Sequence, residues 1–439
     1  MTKSIAFFSL GCKVNQAENL IYLEQCKQLN FTPVDFKQKA DIYVINTCAV
    51  TKEAERQSYQ YIRRALRLNP NALIVVTGCV ITIEDYEPPA SHFPLPTSHF
   101  LIIPNIEKNN LITKIYDFLR ENPPVSPLLY TFPSPQYAPY IRLNLKITDG
   151  CENYCTYCII PYRRGKVHSL SIDEVIKLIK KAEEKNYKEV VLTGINLGAY
   201  GKDFRDVTCY VSTPLEQLLT RIDDETTIHR IRLSSLEILN ISDNLLEILK
   251  KSQILCRHLH IPLQSGSDKI LKAMGRRYNV TQFIERIEKI RKILPDITIT
   301  TDVIVGFPGE KQEDFNDTCS LIEKIGFKRI HIFPFSLRPD TKAALLKEHV
   351  CKETIKERLK ILNTIAYRLN TDWLKSWINK KVEVLTENMK DNYIEGITSY
   401  YVRVRFKPFT DITSNMLVNV KIEKLEEKTN MLYGNFCKD

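Results

Sequence analysis

The sequence predicts an α/β protein in three parts: a small parallel α/β domain, a (β/α)6 partial barrel and a small β-barrel. Three observations carry this. Apolar, β-branched runs of strand length alternate with helix-period segments over residues 3–77, and again from 141 to about 333. A proline-rich stretch separates the two series. After a long basic helical run, 350–370, the pattern changes to closely spaced strands with two-residue alternation. The bounds that follow are 1–122, a linker 123–139, 140–372 and 373–439.

The chain has 439 residues, which suits two or three domains. A hydrophobic fraction of 44% is ordinary for a globular protein, and no apolar run is long enough to span a membrane. The first ten residues run straight into Gly11-Cys12-Lys13 and read as a strand, not a signal peptide. The expectation is a cytoplasmic protein, with a monomer as default. In a reducing compartment, twelve cysteines point to metal binding or catalysis rather than disulfides. The net charge of +10 favours a polyanionic partner such as nucleic acid.

In the first domain, Lys3–Leu10, Asp41–Asn46 and Ala72–Thr77 read as core strands. Helices fill 16–29 and 52–68, the second stopped by Asn69-Pro70-Asn71. Cys12, Cys48 and Cys79 each follow one of the three strands. Loops at the carboxyl ends of parallel strands gather along one edge, so these cysteines form a candidate metal site. Isolated buried cysteines are the plainer alternative. Glu87-Pro88-Pro89 and Pro94-Leu95-Pro96 mark an irregular insertion, followed by a strand at 100–103 and a helix over 105–119.

A second trio lies in Cys151-Glu-Asn-Tyr-Cys155-Thr-Tyr-Cys158, after the strand 141–147 and the turn Thr148-Asp149-Gly150. Thiolates favour zinc or iron–sulfur centres, which normally take four ligands. Three close cysteines with no evident fourth suit a cluster with one iron open to a small molecule. A zinc knuckle is the bland alternative.

Ser171, with Glu174 three residues on, caps the first barrel helix. Strands follow at 189–193, 228–233, 258–263, 297–303 and 329–333, with helices at 214–222, 243–250, 281–293 and 314–325. Reactive residues belong at the carboxyl ends of such strands. Those ends carry Gly194, Asn196, Ser235, Gln264 and Asp302. Glycine permits close backbone approach, and the polar residues can hold a nucleotide-like cofactor. His258, His260 and His331 read as core or supporting residues, since no carboxylate or cysteine accompanies their spacing. Cys256, Cys319 and Cys351 read as packing residues, and Cys209 and Cys437 are unassigned.

These motifs together resemble the methylthiotransferases, a branch of the radical S-adenosylmethionine (AdoMet) enzymes. The resemblance rests on 11–16 (Gly-Cys-Lys-Val-Asn-Gln), Asn46-Thr47-Cys48, Thr77-Gly78-Cys79, 149–161, 192–198, 258–266 and 302–309. It is greatest to the bacterial threonylcarbamoyladenosine (t6A) branch, which acts at position 37 of tRNA. The resemblance implies a Rossmann-like methylthiotransferase domain, a radical AdoMet barrel and an RNA-binding TRAM barrel. It implies two [4Fe-4S] clusters, one on Cys151, Cys155 and Cys158 that cleaves AdoMet, the other on Cys12, Cys48 and Cys79 that carries sulfur. It gives no catalytic side chain: the cofactors replace the adenine C2–H by a methylthio group, and the protein positions them. Arg164, beside the cluster loop, is expected to contact the AdoMet carboxylate or a substrate phosphate. One departure is Asp340, where glycine is usual.

In the last segment Arg403, Arg405 and Lys407 share one strand face, with Tyr401 and Phe406 nearby. They are candidate contacts to the tRNA anticodon stem-loop. An electron donor and a sulfur source are implied as further partners, and no DNA or membrane. The alternatives are a methylthiotransferase of isopentenyladenosine or of a ribosomal protein aspartate and, in another class, a non-catalytic iron–sulfur or zinc RNA-binding protein.

Overall fold

The structure, a computed structural model, describes residues 2–29, 31–81, 99–119, 132–135, 140–204, 212–409 and 412–437. The predicted insertion, most of the 123–139 linker and Cys209 lie outside the described residues. The chain divides into two compact units. One comprises Met1–Pro133, Asp149–Val167 and Ser336–Ala344; the other comprises Ser134–Thr148, His168–Phe335 and Leu345–Asp439. The Cys151–Cys158 loop therefore belongs to the same unit as Cys12, Cys48 and Cys79.

In the first unit, β1 (Ser4–Ser9), β2 (Thr32–Val34), β3 (Ile42–Thr47), β4 (Leu73–Gly78) and β5 (Phe100–Ile103) make one parallel sheet, ordered β2-β1-β3-β4-β5. Every residue of β3 and β4 is buried, which is why their sequences are near-continuous apolar runs. Ile42 and Val44 pack with Tyr22 of α1 (Lys13–Gln28) and with Ile112 and Ile115 of α3 (Leu111–Leu119). Tyr43 and Ile45 face the opposite way and pack with Ile62 and Ala65 of α2 (Lys52–Leu68). Truncating Ile62 or Ile112 to alanine removes about 2–5 kcal/mol. The predicted helix at 105–119 opens as a 3-10 turn, Asn105–Asn110, before α3.

In the second unit six parallel strands follow in chain order. They are β6 (Leu143–Lys146), β7 (Glu189–Thr193), β8 (Arg230–Leu233), β9 (His258–His260), β10 (Thr298–Val305) and β11 (Arg329–Pro334). Continuous pairing stops between β8 and β9, where the single bridges Ile231–Leu255 and Ser235–His260 join the two halves. Ser171 with Glu174, Thr213 with Glu216 and Asn279 with Gln282 form capping boxes on three of the intervening helices. The predicted strand 258–263 is shorter, because Pro262 has no N–H to give the ladder. The chain rejoins β10 at Gln264, which bridges to Val303 with a positive φ of 69°.

The C-terminal strands are β12 (Lys381–Lys390), β13 (Tyr393–Thr398), β14 (Arg403–Phe406), β15 (Leu417–Glu426) and β16 (Met431–Phe436). They close in the order β12-β13-β14-β16-β15. β16 was not foreseen from the sequence. It completes closure by pairing parallel to β14 and antiparallel to β15, which removes free edges. Val404, Phe406, Val420, Ile422 and Leu432 fill the barrel, sealed by Leu374 and Trp377. Phe406 is fully buried, so it cannot stack on a base; Tyr401 lies in the preceding turn at φ 67°, not in the strand.

This barrel docks at the starting ends of β7, β8 and β9. Arg232 of β8 has no exposed side chain and pairs with Glu189 at 2.7 Å. It also donates to the carbonyls of Thr398 and Ser399, at 2.9 and 3.1 Å. Arg230 donates to Ile397 O at 3.1 Å, and Tyr401 stacks on His258 with ring centroids 4.4 Å apart.

Candidate active site

Cys12 stands at the start of α1, Cys48 directly after β3 and Cys79 directly after β4. The sheet alone therefore gathers them. Asn15 ties the loops together: its amide donates to Leu10 O at 2.8 Å and Thr47 O at 3.0 Å, the carbonyls just ahead of Gly11-Cys12 and of Cys48. Cys79 N–H donates to Thr47 O at 3.0 Å. Gly11 has φ +84°, and a Cβ there would lie 2.6 Å from Cys48 Sγ, so only glycine lets these two loops meet.

Cys48 and Cys79 are buried, whereas Cys12 is exposed. Burial pushes the Cys48 thiol up to about 12, reinforced by Cys79, while the Arg164 charge works the other way. Burial likewise raises the Cys12 thiol and Arg164 opposes it. Any metal bound by these thiols would have to displace their protons.

The second trio follows Asp149-Gly150. Cys151 is buried and Cys155 and Cys158 are half-buried. Cys158 N–H donates to Cys155 O at 2.9 Å, and Cys151 N–H to Gly165 O at 3.1 Å. The loop leads into α4 (Ile160–Arg164). Arg164 turns inward. Its side chain is 1% exposed, it grips both oxygens of Asp149 at 2.8 and 2.9 Å, and its Nε donates to Cys79 Sγ at 3.4 Å.

Among the described residues, one set of three potential ligand atoms lies within 4.8 Å of one another, namely His260, Asp302 and His331; neither cysteine trio is that tight.

In the second unit the predicted polar residues do lie at strand ends. Gly194 follows β7, and a Cβ on it would meet Thr148 Cγ2 at 2.3 Å. Asn196 Oδ1 and Ser234 Oγ are buried without a hydrogen-bond partner among the described residues. Ser235 bridges to His260, and Gln264 N–H donates to Asp302 O at 2.8 Å. Unmet acceptors at these strand ends suit a polar ligand.

Sequence spacing hid the partners of Asp302. His260 Nε2 lies 3.1 Å from one carboxylate oxygen and His331 Nδ1 3.0 Å from the other. Burial pushes the Asp302 carboxyl up, but the hydrogen bonds and charges of the two imidazoles outweigh it and hold it below the usual carboxylate range. Thr300 Oγ1 bonds His260 Nδ1 at 2.9 Å and His258 Nε2 at 3.0 Å, fixing both rings. Glu18, Lys108 and Asp149 were also missed. They are ordinary charged residues in sequence, and only the fold shows Glu18 and Lys108 to be buried.

Arg403 and Arg405 share the outer face of β14, as expected. Arg403 pairs with Glu387 at 2.9 Å and Arg405 Nε with Glu395 at 2.7 Å, which offsets their charge. Lys407, just beyond the strand, is exposed. Among the described residues no helix is long and apolar enough to cross a membrane.

Residues 145–322 match the Radical SAM superfamily, and residues 4–91 match a family described as Uncharacterized protein family UPF0004. The threonylcarbamoyladenosine tRNA methylthiotransferase MtaB of Bacillus subtilis is 36% identical over 96% of this chain and 94% of its own. The tRNA-2-methylthio-N(6)-dimethylallyladenosine synthase of Thermodesulfovibrio yellowstonii is 35% identical over 96% of each chain. The solved structure of TsrM from Kitasatospora setae, a radical S-adenosylmethionine methyltransferase, superposes with a TM-score of 0.55 at 12% identity, covering 79% of this chain and 77% of that one; at this identity it shows the fold alone. Whole-length identity to named methylthiotransferases joins the six-stranded barrel and the paired cysteine trios in one conclusion: this chain belongs to the radical AdoMet methylthiotransferase family.

Proposed function

We propose that this protein converts N6-threonylcarbamoyladenosine at position 37 of tRNA to its 2-methylthio derivative. The observation that carries the reading is the presence of two three-cysteine sets in one compact unit. Family membership implies AdoMet, a radical-generating iron–sulfur cluster and an auxiliary one. Cys151, Cys155 and Cys158 are assigned to the first, as [4Fe-4S], and Cys12, Cys48 and Cys79 to the second, also as [4Fe-4S]. When bound, these groups supply the radical, the sulfur and the methyl group.

The chain supplies position and exclusion of water. Gly194, Asn196, Ser235, Gln264 and Asp302 are assigned to hold AdoMet, supported by the unmet acceptor of Asn196 and the ordered His260–Asp302–His331 set. Lys407, with Arg403 and Arg405, is assigned to the anticodon stem-loop. The functional domains are taken as 1–122, 140–372 and 373–439, joined by a linker at 123–139. A cytoplasmic location, an electron donor and a sulfur source complete the reading.

The choice of nucleoside is supported by relatives. Those named for threonylcarbamoyladenosine are 35–36% identical, and those named for dimethylallyladenosine 31–35%. Nucleoside mass spectrometry of tRNA from cells with and without the gene tests it. The expected result is loss of 2-methylthio-t6A with t6A retained, restored by complementation. Unchanged 2-methylthio-t6A with loss of the dimethylallyl product reassigns the substrate.

A further inference from the structure

We infer that Arg164 is a positioning residue for the group held by Cys12, Cys48 and Cys79, and that with Glu18, Lys108 and Asp149 it sets that group's reduction potential. The inference rests on the cluster assignment above, and it directs Arg164 away from the AdoMet carboxylate.

Four formal charges meet beneath the cysteines. Lys108 Nζ lies 2.6 Å from Glu18 Oε1 and 3.8 Å from Asp149 Oδ2. Arg164 Nη1 lies 3.4 Å from Glu18 Oε1 and 2.8 Å from Asp149 Oδ1. Side-chain exposure is 1% for Arg164, 2% for Glu18, 3% for Lys108 and 20% for Asp149. Two cations balance two anions, so the quartet is neutral as a whole. Burying it is costly, and a well-packed apolar set would commonly be as stable. What an apolar set cannot do is aim a cationic N–H at a sulfur. Arg164 Nε donates to Cys79 Sγ, and Nη2 donates to Asn15 Oδ1. Asn15 is the same side chain that ties the loops of Cys12 and Cys48. One guanidinium thus reaches the mountings of all three cysteines.

Net charge and hydrogen bonds to sulfur are the levers a protein has on an iron–sulfur potential. Arg164 provides both, and it projects from the segment that carries the radical-cluster loop. The quartet makes a prediction of opposite signs. Arg164→Gln removes one positive charge and the N–H···S bond, so the oxidised group is favoured. Asp149→Asn removes one negative charge, so the reduced group is favoured.

The test is an EPR-monitored potentiometric titration of the anaerobically loaded full chain, taking the auxiliary signal as the one that added AdoMet does not perturb. The expected result is a midpoint shifted to lower potential in R164Q and to higher potential in D149N, with unchanged iron per chain. No shift in either variant, or shifts of the same sign, overturns the proposal while leaving the cluster assignment standing. If R164Q does not retain iron, D149N decides alone: a positive shift supports the proposal and no shift overturns it. If the wild-type chain holds no iron that depends on Cys12, Cys48 and Cys79, the assignment and the proposal fall together.

Discussion

Arg164 and Arg232 are both almost wholly buried, both paired with carboxylates and both close to a cysteine, yet they serve different ends. Arg232 joins Glu189 to the carbonyls of Thr398 and Ser399 and lies 5.2 Å from the Tyr401 ring centroid. These partners fasten the C-terminal barrel to the starts of β7–β9. Its cysteine neighbour, Cys256, stands outside both trios. Arg164 has a thiol and the loop-tying Asn15 among its partners. A buried guanidinium is costly in either place. What it touches besides its carboxylate distinguishes a fastener from a tuning element.

The largest expected effect breaks the fastener. Arg232→Ala removes the hydrogen-bonded partner of buried Glu189 and leaves it only the longer contacts to Arg142 at 3.7 Å and Arg230 at 3.9 Å, so it should cost at most about 3–5 kcal/mol in denaturant unfolding. Replacing Arg232 and Glu189 together by methionine should recover at least half of that loss, and neither change should alter iron per chain in the folded fraction. Equal losses in the single and double variants would mean that the carbonyl contacts, not the charge pair, hold the barrel.

A smaller effect concerns the two cysteine environments. Burial pushes the Cys256 thiol from 9.0 up to about 12, against the charge of Arg232. Because the folded pKa is raised, the contribution of the protonated thiol is fully present below pH 9 and is lost as pH rises toward 12. The loss is at most about 1.4 kcal/mol per pH unit. Stability of Cys256→Ala measured between pH 8 and 11 should therefore fall less steeply than that of the wild type; parallel slopes would contradict the assignment.

The smallest effect lies at Asp340. It has φ +68°, a left-handed conformation that favours glycine, and its ion pair with Arg163, at 3.4 Å, is largely exposed on the Asp340 side. Relief of the left-handed strain is worth about 1 kcal/mol, and the exposed pair contributes less. Asp340→Gly should raise the thermal midpoint slightly; a lower midpoint would give the ion pair more weight than the backbone.

Much of this was legible in the sequence because the signals were local. Ser171 and Asn69 mark helix ends, and 42–47 and 73–78 are buried on both faces and so are largely apolar. The cysteine trios were legible for the same reason: one is a compact motif and the other follows three strands in turn. What escaped depends on contacts between distant segments. β16 gains its meaning only by closing a barrel. Asp302 meets His260 and His331 across three strands. Arg164 was expected at the AdoMet carboxylate or a substrate phosphate, but Asp149 and Glu18, the latter far away in sequence, hold it inward.

The most direct measurement compares Cys48→Ala and Cys155→Ala with the wild type on a t6A-containing anticodon stem-loop, following 5′-deoxyadenosine and 2-methylthio-t6A under anaerobic reduction. If the two trios have separate tasks, Cys155→Ala forms neither product, while Cys48→Ala forms 5′-deoxyadenosine without the methylthio nucleoside. Formation of 2-methylthio-t6A by Cys48→Ala would contradict a separate task for the second trio.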